Sequence, residues 1–313
     1  MINYKISTRT VIASTNVEFN IHDIYEKLPA LEMSQEYNDK YMSLIPLKKR
    51  RGRRKKNEEC LKNLRMEYDE MVDLKEGDIV AIYFRNHKKG LPQYLKYGVK
   101  FFRNALNIVM MRTKDKKINM KLSQNGKIQM TGCKEEEDAQ FCLKYLFQHI
   151  SEHCPDSLVY KENMKNNHLD ISFFTVMTNL DFNIGFHINR QKLNQLINRE
   201  TVFNSLLETS FGYTGVNIKI EVPYDPDVNI DRLQLLRENN WSKSFIKYDE
   251  YLQKNGEMYY KNELQKKRYN TFLVFHSGNI IMSGMRLDKM TNHFKEFCEF
   301  LLKYRADIEE TML

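Results

Sequence analysis

A short string that occurs twice constrains this chain more than any other feature. Thr15-Asn16-Val17-Glu18-Phe19-Asn20-Ile21 returns as Thr178-Asn179-Leu180-Asp181-Phe182-Asn183-Ile184, identical or conservative at all seven positions. Further along each half, Gly126-Lys127-Ile128-Gln129-Met130-Thr131-Gly132-Cys133-Lys134 returns as Gly278-Asn279-Ile280-Ile281-Met282-Ser283-Gly284-Met285-Arg286. The order is the same, but the first pair lies 163 residues apart and the second 152. Two halves of common design, each interrupted by an insertion of its own length, account for both spacings. The expected domains are residues 1–160 and 161–313.

The coarse elements follow the same plan. Tyr4–Thr15 and Asp170–Thr178 are rich in β-branched and aromatic residues and read as strands. Short helical patterns follow at His22–Leu28 and Arg190–Ile197. Asn107–Thr113, Ile118–Ser123 and Lys127–Thr131 read as a three-strand meander with a turn at Gln124-Asn125-Gly126. Its counterparts are Val216–Val222, Thr271–Phe275 and Asn279–Ser283, turning at His276-Ser277-Gly278. Each half closes on an amphipathic helix, Glu135–His153 and Asp288–Tyr304. In the second, Met290, Phe294, Phe297, Leu301 and Tyr304 form one apolar stripe suited to core packing.

Two stretches do not repeat. Residues 31–98 hold a run of like charge, with Lys48, Lys49, Arg50, Arg51, Arg53, Arg54, Lys55 and Lys56, followed by a helical pattern near Glu58–Val72. Residues 224–268 hold Trp241 and two helix-like stretches. The formal charge of +8 points to an anionic partner, but that one run carries much of it. Five cysteines with no C-x-x-C pair read as a reduced, intracellular protein. No apolar stretch is long enough to span a membrane.

Strand, helix, insertion, meander and long helix, met twice and carrying G-[KN]-x-x-x-[TS]-G-x-[KR] in the meander, resemble the TATA-box-binding protein family. Leu273–Arg286 is the string most similar to the family's signature, and Asn125–Lys134 is similar to it. The likeness covers about residues 4–30, 100–154, 168–223 and 269–306. Insertions of this size are similar to those in versions from large DNA viruses. The resemblance implies an α+β fold: two pseudo-symmetric repeats forming a curved antiparallel sheet, a saddle, with helices on the convex face and two insertions outside the repeats.

Alternation along the strands gives an independent check. Ile118, Met120, Leu122, Ile128 and Met130 form one apolar face in the first half, and Phe272, Val274, Ile280 and Met282 form it in the second. These faces suit the helices. The opposite face carries Asn119, Lys121, Ser123, Lys127, Gln129 and Thr131 in the first half. In the second it carries Thr271, Leu273, Phe275, Asn279, Ile281 and Ser283. An open apolar face needs a partner or a covering segment, and an insertion is one candidate cover.

The resemblance implies minor-groove binding through the open face, with apolar side chains wedged between base steps. The family's wedge positions fall on Tyr213 and Phe275 in the second half, and on Leu106 and Ser123 in the first. Its groove-reading threonines fall on Thr131 and Ser283, and its asparagines on Thr10 and Phe173, which leaves both amides missing. Backbone-contacting cations fall on Arg112, Lys127 and Lys219, while Asn279 replaces a lysine. Leu273 and Ile281 back the second-half wedge, so the halves are expected to act unequally. The implied partners are A/T-rich promoter duplex, general transcription factors and RNA polymerase, at the site of transcription in the nucleus or a cytoplasmic viral factory.

The basic run reads as an import signal, a phosphate-binding arm or a solvated loop. His149, His153, Cys154 and Cys142 lack paired metal-ligand spacing and read as helix-end residues, so no metal or cofactor is expected. No G-x-x-x-x-G-K, G-x-S-x-G or H-E-x-x-H occurs, which leaves an enzyme without support. The competing function is a protein-interaction platform of the transcription machinery that has lost DNA bending.

Overall fold

The computed structural model describes residues 2–44, 63, 72–96, 104–161, 168–207, 215–237 and 240–310. In chain order, β1 (Lys5–Thr15), β2 (Val17–Phe19) and α1 (Ile21–Lys27) lead to α2 (Gln35–Leu44), β3 (Ile79–Phe84) and β4 (His87–Gly90). The first meander is β5 (Ala105–Thr113), β6 (Lys116–Ser123) and β7 (Lys127–Cys133), followed by α3 (Glu136–His153) and β8 (Leu158–Tyr160). The second half opens with β9 (Leu169–Asn183), α4 (Arg190–Glu200), β10 (Asn204–Leu207) and β11 (Gly215–Val222). Next come β12 (Asn229–Arg237), β13 (Asn240–Lys247), α5 (Tyr248–Lys254) and α6 (Glu257–Gln265). The chain ends with β14 (Arg268–Phe275), β15 (Asn279–Gly284), α7 (Leu287–Lys303) and α8 (Arg305–Ile308).

These elements form two compact units. The N-terminal unit comprises Ala13–Ile171 and Leu233–Ser242, and the C-terminal unit Met1–Ile12, Ser172–Arg232 and Lys243–Leu313. In the first, β7, β6, β5, β3 and β4 lie side by side and antiparallel. In the second, β10, β11, β14, β15 and β9 do the same.

Among the described residues each unit therefore adds a strand, β3 or β10, beside the three that the sequence reading expected of its meander. β3 reads Ile-Val-Ala-Ile-Tyr-Phe and is buried along its whole length. Such a run lacks the alternation of a half-exposed strand, which hid it inside the segment taken as insertion. It pairs Phe84 with Leu106 as β10 pairs Leu207 with Val216. Residues 224–268 hold a hairpin, β12 and β13, ahead of the two expected helices. Ile230, Ile246, Tyr248, Tyr251 and Leu252 give them a core of their own.

Helices line one face of each sheet. Tyr25 of α1 lies 5.7 Å from Phe84, centroid to centroid, on the side shared with Leu106 and Leu122. In the C-terminal unit Phe297 of α7 stacks on Phe272 at 4.1 Å. Met290, Phe294, Phe297 and Leu301 are buried as their spacing predicts. The start of α3 is fixed by a capping box between Glu135 and Asp138.

The glycines that open the repeated nonapeptide do the same work in both units. Gly126 and Gly278 have φ of +84° and +78°. A Cβ would lie 2.0 Å from the Val17 carbonyl oxygen at Gly126 and 2.3 Å from that of Phe186 at Gly278. The repeated heptapeptide behaves differently. The Gly126 oxygen accepts from the Thr15 amide, but the Gly278 oxygen accepts from Ile184, not Thr178. The helix caps agree: Asn20 opens α1 and Asn189, 169 residues on, opens α4. The structural repeat in this region is thus six residues longer than the heptapeptide match implies, and the likeness of those seven residues is out of register.

Candidate nucleic-acid interface

On the C-terminal unit, the sheet face away from the helices is built from two cross-strand rows. Leu206, Asn217, Leu273, Ile281 and Asp181 form one, and Asn204, Lys219, Thr271, Ser283 and Asn179 form the other. Phe275 sits opposite Gly215 at the end of β14, and a Cβ on Gly215 would be 2.4 Å from Leu273 Cδ1. Leu273, Phe275 and Ile281 are half-buried, while Leu206 is 60% exposed. These four side chains make an apolar surface that no described segment seals.

Ser283 Oγ donates to Asn179 Oδ1 at 2.9 Å. Thr10 and Phe173 were expected to replace the family's asparagines, but Phe173 is buried. Counting 169 residues from Thr10, as the helix caps require, reaches Asn179. By that count the C-terminal counterpart of Thr10 is Asn179, hydrogen-bonded to Ser283, and not Phe173. Aligning the two cap asparagines instead of the heptapeptides would have found it. Lys219 is exposed and lies 5.8 Å from the Tyr269 ring centroid. Asp181, also exposed, accepts from Ser7 Oγ at 3.0 Å and sets a negative charge beside the apolar row.

The corresponding rows of the N-terminal unit are Tyr83, Asn107, Lys121 and Gln129, and Ala81, Val109, Asn119 and Thr131. Ser123, Lys127 and Thr131 are partly exposed on this face, as expected. Two residues assigned to it are elsewhere. Leu106 is 0% exposed and pairs with Leu122, facing the helices; its neighbour Ala105 is the one opposite Ser123. A shift of one residue along a strand reverses the face, so Leu106 is core and not a wedge. Arg112 is also turned to the helices. It pairs with Glu76 at 3.0 Å and Asp138 at 3.2 Å and lies 4.3 Å from the Phe141 ring centroid.

Asp138 is 1% exposed and also accepts from Lys116 and from the Lys134 and Glu135 amides. Burial pushes its pKa up, but these donors outweigh it and hold the carboxyl below its ordinary value. Arg112 thus serves the fold.

The outer part of the N-terminal face is closed by its own chain. Tyr83, Val109 and Met111 pack with Leu74 and Leu91, and Leu31, Met33, Tyr94 and Leu95 lie against that cluster. Tyr83 Oη donates to the Tyr94 carbonyl at 2.7 Å and accepts from the Lys96 amide at 2.7 Å. Lys117 Nζ lies 4.9 Å from the Tyr94 ring centroid. Tyr213 and the basic run Lys48–Lys56 lie outside the described residues, as does most of Glu58–Val72.

Residues 93–153 match the family described as "Transcription factor TFIID (or TATA-binding protein, TBP)". A protein of Invertebrate iridescent virus 6, "Uncharacterized protein 335L", is 26% identical over 252 residues, 74% of this chain and 69% of its own length. The "TATA-box-binding protein-like" protein of Acanthamoeba polyphaga mimivirus is 26% identical over 187 residues. That alignment takes 50% of this chain and 49% of the mimivirus protein, so it spans about half of that relative. The solved structure "Methanococcus jannaschii TBP" aligns at 12% identity with a TM-score of 0.38, over 96% of this chain and 99% of that one.

Proposed function

We propose that this chain, a diverged relative of the TATA-box-binding protein family, binds A/T-rich promoter duplex in the minor groove and acts in transcription initiation. The observation that carries the reading is the uncovered row of Leu206, Leu273 and Ile281, with Phe275 at its edge and the Ser283–Asn179 pair beside it. Apolar side chains offset a lost base stack, and a hydroxyl and an amide suit the acceptors that A·T and T·A share in the minor groove. Bending is asymmetric in this proposal, with one kink under the C-terminal unit. Ser123, Lys121, Lys127 and Gln129 supply phosphate and sugar contacts in the N-terminal unit but nothing to replace a stack. The Lys48–Lys56 run adds sequence-independent phosphate contact, and general transcription factors and RNA polymerase are the protein partners.

The test is a salt-titrated binding and end-to-end energy-transfer assay on A/T-rich and scrambled duplexes. Preferential binding with a single bend supports the proposal. Equal, unbent binding to both duplexes overturns it and favours the interaction platform, for which the self-covered N-terminal face is the supporting observation. Deleting Lys48–Lys56 should weaken both duplexes alike and flatten the salt dependence, which runs at about −0.9 per phosphate neutralised.

A further inference from the structure

His149, Glu152 and His153 occupy one side of the last turn of α3 at i, i+3 and i+4, and one donor atom from each lies within 4.8 Å of the others. Residues at this spacing are neighbours on a helix surface. His149 Nε2 lies 2.9 Å from the Gly77 carbonyl oxygen, which makes Nε2 the N–H donor and leaves the lone pair on Nδ1. Nδ1 is buried and has no hydrogen-bond partner among the described residues. The sequence reading grouped these histidines with Cys142 and Cys154 and found no ligand spacing. Both cysteines are buried. Glu152 takes their place.

We propose that His149, Glu152 and His153 bind a zinc ion, with water in the remaining position. Two imidazoles and a carboxylate are a borderline nitrogen and oxygen set that suits zinc and excludes the harder calcium and magnesium. An imidazole whose other nitrogen donates to a backbone carbonyl is oriented as metal-bound histidines usually are. Glu152 is placed similarly: Gln148 Nε2 donates to its Oε1 at 2.9 Å, leaving Oε2 for the metal. Tetrahedral zinc bonds of about 2.0–2.2 Å put donors roughly 3.3–3.6 Å apart. The exposed Glu152 and His153 side chains close that gap by changing rotamer. The ion braces a corner of the N-terminal unit, because the Gly77 amide also donates to the Met111 carbonyl at 2.9 Å, at the end of β5.

Calorimetric titration of the full chain with zinc chloride, alongside the absorption spectrum with cobalt(II), tests this. One site with micromolar affinity, a tetrahedral cobalt band and a raised melting temperature are expected. His153→Ala alters an exposed side chain, so it folds normally and should weaken binding at least tenfold, as should His149→Ala. Glu152→Gln should weaken it several-fold. Absence of binding at 100-fold excess zinc, or wild-type affinity in His153→Ala, overturns the assignment.

Discussion

The open sheet faces of the two units carry apolar surface in opposite places. On the N-terminal unit the outer strands are apolar at Tyr83, Val109 and Met111, and the inner strands present Lys121, Lys127 and Gln129. On the C-terminal unit Lys219 and Glu221 take the places of Val109 and Met111, while Leu273, Phe275 and Ile281 take those of Lys121, Ser123 and Gln129. The first unit covers its apolar strip with Leu74, Leu91 and Tyr94, and no described segment covers the strip of the second. Both obey the same requirement, since apolar sheet surface must be buried against something. They differ in whether a described segment of this chain supplies the cover.

The largest effect should come from breaking the cover. Leu91 is buried within the strip's cluster. Leu91→Ala should therefore cost about 2–5 kcal/mol of folding stability in denaturant titrations. Leu206→Ala, on the uncovered face, should change folding stability by less than about 0.5 kcal/mol. Equal losses would mean that Leu206 is covered too.

Next is the charge buried on the helix side of the N-terminal unit. Asp138 sits among Arg112, Lys116 and two backbone amides, whereas the residue 152 positions on, in the C-terminal unit, is the buried, apolar Met290. Its folded pKa is lowered, so its contribution is fully present above the unfolded value of about 3.9. It is lost as pH falls through that value towards the folded pKa. Asp138→Asn takes the carboxylate from Lys116 and leaves Arg112 with Glu76, and should cost about 2–3 kcal/mol near pH 7. Stability should then vary less with pH below about 5 than in the wild type. An unchanged pH profile would place the acid-sensitive group elsewhere.

Phe275→Ala should lower affinity for A/T-rich duplex by tenfold to a hundredfold and remove most of the bend. A wedge offsets an unstacking cost of a few kcal/mol. Ser123→Ala should leave both nearly unchanged, and Ser123→Phe should add bending. Two equal kinks in the wild type would end the asymmetric reading.

What could be read in the sequence, and what could not, follows from period and register. The meanders, both long helices and the inward faces were legible because their alternation and 3.6-residue stripes are set by burial on one side. β3 was not, since burial on both faces erases the alternation. Leu106 was misplaced by one residue and Phe173 by six, for a common reason. A sequence match carries no record of which carbonyl a backbone amide meets, and in this chain those bonds, with the cap asparagines, set the repeat. Phe275, Ser283 and Ile281 escaped that error because the Gly278 turn fixes their strands directly.

The smallest expected effect is on sequence preference, and it tests the corrected register. Ser283 Oγ now donates to Asn179, so the serine can orient the amide as well as touch a base itself. Ser283→Val removes both roles, and Asn179→Ala removes the amide alone. Each should lower the A/T over G/C binding ratio several-fold, because a lost minor-groove hydrogen bond is worth about 1 kcal/mol. Overall affinity for scrambled duplex should barely move, since phosphate contacts are untouched. Thr131→Val should have the weaker effect, as Thr131 shares its face with Lys121 and Gln129 and not with apolar side chains such as Leu273 and Ile281. Ratios measured by competition on paired duplexes decide it. A larger loss from Thr131→Val than from Ser283→Val would assign sequence reading to the N-terminal unit and reverse the roles argued for the two faces.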